Sequence, residues 1–287
     1  MKKLILLLLC ALPVAARAQQ DSLPFRPGLL LDGRPFRTYA FYPAGERGEA
    51  PGQAVDLRKY CPSPGNQSKQ ASCVGFAIAY ALTIRLACEE GKTRKNDSLW
   101  IEAHRFSPSF IFNRVKARPP RCDSGAYLDS ALKWVQKNGV CLLSEFSYDS
   151  TDCNRQPEKG IRKKALENRL DTFEVVIAPG MTRDSILGRT MTALDRNNPV
   201  IVAIRLTPNF FGVGAPPGVW IPFPKGGGSE AHAMIVVGYD DREEGKGKII
   251  LFNSSFGSGW GAGGFVEMTF DDFARQAEYG VILVPGW

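Results

Sequence analysis

The chain of 287 residues contains only two histidines, His104 and His232, so a reaction that needs an imidazole has little choice. His104 lies in Ser98-Leu-Trp-Ile-Glu-Ala-His104, just ahead of Ser107-Pro108, with no nucleophile close by in sequence. His232 opens the apolar run Ala233–Tyr239, which reads as a buried strand, and a ring at the mouth of a strand is held rigidly and can face a cleft. Cys73 follows Ser72 and opens the segment Cys73–Glu90, apolar on nearly every face. Backbone N–H groups and the dipole at a helix start favour a thiolate, and a nearby imidazolium favours it further. Taken singly, each residue has a plainer reading: a structural histidine, and a buried or disulfide-bonded cysteine. Their neighbours add two carboxamides. Gln67, six residues before Cys73, is placed on a loop over the helix start, where its amide and the Cys73 backbone N–H would donate to a tetrahedral oxyanion. Asn253 comes 21 residues after His232, at the return end of a hairpin that turns within 245–247. A carboxamide there can hold the second ring nitrogen without removing its proton.

The elements needed to position these groups are legible as two unlike halves. Residues 54–157 read as mainly helical, with a central buried helix over Cys73–Glu90 and a second over Ser124–Lys137, each closed by a glycine. Residues 158–287 read as β-rich, with helices over Glu158–Asn168 and Thr182–Arg196. Strands are expected at Phe173–Ile177, Val200–Leu206, Ala233–Tyr239, Lys248–Asn253, Phe265–Phe270 and Tyr279–Val284. The Pro/Gly-rich stretch 207–230 is a loop long enough to expect a role in function. Residues 19–53, rich in Pro, Gly and Arg, read as an extension or short pro-segment whose Phe36, Tyr39, Phe41 and Tyr42 could plug a groove.

Lys2 and Lys3, the apolar run Leu4–Leu12 and Ala16-Arg17-Ala18 form a secretory signal peptide, with cleavage expected after Ala18. The run is too short to span a bilayer, and Leu9 before Cys10 argues against lipoprotein anchoring. Export to the periplasm or the medium is therefore expected. Losing Lys2, Lys3 and Arg17 lowers the net charge from +7 to +4, and the basic stretch 114–121 lacks the aromatics of a nucleic-acid surface. Six cysteines remain after the signal; in an oxidising compartment some should pair. If Cys73 stays free, five are left, so at least one more thiol is unpaired, with Cys88 the candidate. Cys122 with Cys153 is one expected bridge. No cysteine pair has zinc-ligand spacing.

The same residues resemble the papain family of cysteine peptidases in family order. The matches are Gln67, Cys73, Ala231-His232-Ala233, Val237-Gly238-Tyr239, Asn253-Ser254 and Trp260-Gly261-Ala262-Gly263-Gly264-Phe265, with weaker echoes at Val55-Asp56-Leu57-Arg58, Ser107-Pro108 and Cys122-Asp123-Ser124-Gly125. The resemblance covers roughly residues 54–285. It implies an α+β fold of two lobes, a helical left lobe and an antiparallel β-barrel-like right lobe, with the active-site cleft between them. It also implies roles: Cys73 the nucleophile, His232 the acid and base, Asn253 the orienting residue, Gln67 the oxyanion donor. Gly125, with Ser124 and Ala231, would bind substrate backbone.

Three positions depart from the family pattern. Gln70 stands where a disulfide cysteine is usual, Val74 replaces a Trp, and Ser255-Phe256 replaces a Trp that shields the Asn–His contact. Every reacting group is kept, so the expectation is an active peptidase with altered groove walls, acting on polypeptide without metal or organic cofactor. No nucleic-acid partner or stable membrane insertion is expected, and the oligomeric state is open. A transglutaminase-like acyltransferase, which uses the same thiol and imidazole but prefers an Asp where this chain has Asn253, and a silent peptide-binding module stay open as alternatives.

Overall fold

The computed structural model describes residues 25–43, 53–214, 218–223, 230–243 and 245–287. The expected signal segment 1–18, with Cys10, and parts of the 207–230 loop lie outside the described residues.

Helix α1 (Cys73–Glu89) is buried along nearly its whole length, as an all-round apolar sequence requires. It packs against α3 (Pro108–Val115) and α4 (Leu128–Asn138), while α2 (Arg94–Ala103) lies to one side. α4 begins four residues later than its sequence suggests. Gly125 adopts φ +68°, outside the helical region, and Ala126 is drawn into extended pairing. α5 (Lys159–Ala165) runs into a 3₁₀ turn at Leu166–Asn168, and α6 (Arg183–Asp195) is capped by the Thr182 hydroxyl, which accepts from Ser185 N at 3.3 Å.

The strands are β1 (Ala54–Asp56), β2 (Leu170–Ile177), β3 (Val200–Arg205), β4 (Ala231–Asp240), β5 (Lys248–Phe252), β6 (Phe265–Thr269) and β7 (Ala277–Pro285), with α7 (Phe270–Gln276) between the last two. They form one antiparallel sheet in the order β2-β7-β3-β4-β5-β6, with β1 added onto β4. Among the described residues the expected barrel-like closure does not occur: β2 and β6 remain the ends of an open sheet. Helices cover it instead, α6 against β2, β3 and β4, α7 against β5 and β6, and α1 against β3, β4 and β7. The division into halves also has an exception, since β1 comes from the helical half and pairs Val55 with Tyr239.

Residues 25–43 pack on this body. Phe36 stacks on Tyr279 at 4.3 Å between centroids, Tyr39 meets Phe173 edge-on at 5.0 Å, and Tyr42 N donates to Val175 O at 2.9 Å. Phe41 bridges Val175 and is partly exposed. These aromatics clamp the segment to β2 and β7. They do not plug a groove, contrary to the sequence expectation, because the β2–β7 face gives them apolar partners. Cys122 and Cys153 form a disulfide, as expected; Cys61, Cys88 and Cys141 are free along with Cys73.

Candidate active site

Cys73 is the first residue of α1. Ser72, at the N-cap position, makes no side-chain capping bond, so the first-turn N–H groups are left open. The backbone N–H groups of Ala233, the residue after His232, and of Gly28, Val74 and Cys73 itself pull the Cys73 thiol downward. β4 thus carries His232 to the start of α1. The β4–β5 ladder ends at Ile235–Phe252, so Asn253 leaves β5 near His232, its N bonded to Gly264 O at 2.8 Å.

The ring and the amide meet. His232 Nε2 lies 3.1 Å from Asn253 Oδ1, which also accepts from the Ser255 hydroxyl at 3.3 Å. An amide oxygen only accepts, so Nε2 carries the proton and Nδ1 keeps its lone pair. Among the described residues Nδ1 has no hydrogen-bond partner, although it is buried. Phe256 covers the ring at 4.7 Å between centroids, and Phe210, from the 207–230 loop, approaches it at 5.8 Å. Together they take the place of the missing Trp. His104 stands apart, stacked on Trp100 at 3.9 Å with Nδ1 2.7 Å from Trp100 O.

Electrostatics differ from the sequence expectation of an ion pair. Burial pushes the Cys73 thiol up to about 11, against the pull of the backbone N–H groups around it. Burial likewise lowers His232 to about 4, with the Asn253 bond opposing. In this arrangement thiol and imidazole are both neutral at physiological pH, because desolvation outweighs the helix terminus.

The cause of that burial is the chain's own residues 25–31. Arg26 O accepts from Gln67 Nε2 at 2.6 Å, and a second Gln67 bond, to Gln70 O at 2.8 Å, fixes the amide. Gly28 O accepts from Ala126 N at 2.8 Å and Leu30 N donates to Ala126 O at 3.0 Å, while Leu29 bridges Ala231 from the other side. Phe25 stacks on Phe256 at 4.1 Å, beside a pocket of about 590 Å³ lined by Phe211, Phe256 and Trp260. Arg26 also pairs with Asp123 at 3.6 Å. This strap crosses from α1 to the sheet directly over Cys73, which has no exposed surface.

Cys73, His232, Asn253 and Gln67 are therefore brought together. Gly125 lies against the strap, where a Cβ would collide with Gly28 O, and Ala231 flanks it on the other side. Ser124 does not join them: its hydroxyl donates to Arg121 O at 2.9 Å and accepts from Arg118 N at 3.1 Å within its own loop. The backbone that pairs with the strap belongs to Ala126, which sequence reasoning missed. Arg26–Leu30 were missed as well, although the apolar run behind Pro27 is a signal for an extended, buried segment.

Comparisons with known proteins identify the family and the fold. The model of the papain family cysteine proteases matches residues 52–280, leaving the strap outside it. An uncharacterized peptidase C1-like protein of Acanthamoeba polyphaga mimivirus is 25% identical over 238 residues, 77% of this chain and 70% of its own length. Among solved structures, xylellain, a cysteine protease from Xylella fastidiosa, superposes with a TM-score of 0.72 at 18% identity, covering 91% of this chain and 96% of that one. Digestive procathepsin L 3 of Tenebrio molitor larval midgut gives 0.66 at 18% identity, over 93% and 78%. The chain is a cysteine peptidase and belongs to the papain family.

Proposed function

We propose that Cys73, His232, Asn253 and Gln67 carry out peptide-bond hydrolysis, and that residues 25–31 hold the enzyme closed until they are displaced. The observation that carries this reading is the His232 Nε2–Asn253 Oδ1 bond, which leaves Nδ1 as a free base in a site shared with the Cys73 thiol. With the strap gone, water re-enters, the burial penalty falls, and Nδ1 takes the thiol proton. The thiolate, stabilised by the N–H groups at the start of α1, attacks the substrate carbonyl carbon. The oxyanion replaces Arg26 O at Gln67 Nε2 and shares the Cys73 N–H. His232 gives its proton to the leaving amine. It then takes one from water, which attacks the thioester, releases the acid and restores the thiol.

Gly125, Ala126 and Ala231 supply the walls along which substrate backbone would lie, since the strap already pairs there. Export completes the reading: the leader sequence and the Cys122–Cys153 bridge both suit an oxidising compartment. The test is turnover of a peptide substrate by the processed enzyme. Cys73→Ala and His232→Ala should abolish it in folded protein, and Asn253→Ala should cost less because it removes orientation and no reacting group. Near-normal rates in either of the first two variants end the proposal.

A further inference from the structure

Gln70 occupies the position at which a covalent link is expected from the family resemblance, so something else must fix the loop 67–72. Tyr148 stands at the centre of what replaces it. Its hydroxyl lies 2.8 Å from Ser72 Oγ, 3.1 Å from Gln67 O and 3.1 Å from Gln70 Oε1. Gln70 Nε2 in turn donates to Asp149 O at 2.7 Å. The Tyr148 ring rests on Phe76 of α1 at 4.7 Å between centroids. Gln67, Gln70 and Ser72 are all buried, so these bonds are made away from water, where geometry is held more firmly.

The donor count fixes the directions. A phenol has one O–H, and both glutamine oxygens only accept, so Tyr148 donates to one of them and Ser72 donates to Tyr148. Serine is a favoured N-cap residue whose oxygen ordinarily takes an N–H of the first helical turn. Here Ser72 makes no such bond, because its hydroxyl is turned to Tyr148. The N–H groups of Cys73 and Val74 remain available to the sulfur.

We infer that Tyr148 is a positioning residue for the reaction: it pins the Gln67–Gln70 turn and withdraws Ser72 from the helix start, so that both oxyanion donors and the thiolate-stabilising N–H groups stay in place. This inference rests on the proposed roles of Cys73 and Gln67. Burial, and a negative charge on Cys73, both raise the Tyr148 phenol, so it stays protonated and able to donate throughout the cycle.

The test uses the full chain carrying Gly28→Val, whose side chain cannot fit under the Ala71 carbonyl and so displaces the strap. In that background Tyr148→Phe removes one oxygen and keeps the ring on Phe76. The expected result is a fall in kcat of roughly tenfold, equivalent to about 1.4 kcal/mol, with KM within about twofold. The pH profile of Cys73 alkylation should move upward, since a released Ser72 competes for the helix N–H groups, and Ser72→Ala added to Tyr148→Phe should move it back. A kcat within about twofold of the parent, or a lowered melting temperature with an unmoved alkylation profile, overturns the inference and leaves a structural tyrosine. Gln67→Ala in parallel separates the two levels: loss there with no loss in Tyr148→Phe defeats this inference alone, whereas an inert Gln67→Ala defeats the oxyanion reading beneath it.

Discussion

At Cys73 and His232 the contest is between the helix terminus, which favours charge, and burial, which opposes it. With the strap in place burial wins, and the two shifts make opening depend on pH. His232 titrates near 4 when closed, against about 6.5 for a free imidazole, so the open state binds the proton more readily. Acid therefore favours opening, by up to about tenfold per pH unit between roughly 6.5 and 4, and no further below. Protonation of Asp123 would loosen its pair with Arg26 in the same direction. At the other end Cys73 titrates near 11 when closed, so the open state loses that proton first and alkali above about pH 9 also favours opening. Labelling of Cys73 by dipyridyl disulfide, which stays reactive in acid, should be slowest near neutrality and accelerate on both sides. A flat acid limb would show that His232 is not what the strap desolvates. The four site residues were legible as residue types in order, but the ionisation of Cys73 and His232 was not, because it depends on a covering segment whose apolar run behind Pro27 signals burial without showing what it covers.

Among the elements, α1 and the β4–β5 hairpin were legible in outline. An all-round apolar run can only be a central helix, and the run after His232 with a return to Asn253 can only bring those two together. Less was legible where close backbone approach decides the structure. Ser124–Tyr127 reads as helix but is not helical, since Ser124 bends, Gly125 is left-handed and Ala126 is paired with the strap. Phe210 shields His232 from a loop whose sequence shows only length and Pro/Gly content. The strap is the element most sensitive to a single change. Gly28 has no room for a Cβ beside Ala71, so Gly28→Val should lift the strap and expose Cys73. The expected outcome is faster thiol labelling and higher turnover of a small peptide substrate than the unaltered full chain gives. Equal rates in the two would show that the strap does not limit access.

In the molecule as a whole, the sheet is open where a barrel was expected, and the helical half reaches across through β1. Periodicity reports which face of a strand is covered but not whether the covering is another strand or a helix, so closure was beyond the sequence. The Cys122–Cys153 bridge ties the loop before Gly125 to the segment after Tyr148, a closed loop of the size for which chain entropy suggests about 3–4 kcal/mol of stabilisation. Leu29 makes a different kind of tie. It is stitched at once to Ala126 on the helical side and to Ala231 on the sheet, and its side chain is almost wholly buried. The residue that bars the door also sutures the two walls. Catalytic competence and thermal resilience should then move in opposite directions: burial of one leucine is worth about 2–3 kcal/mol, so the Gly28→Val chain, while quicker to act, should melt roughly 5 °C lower in calorimetry.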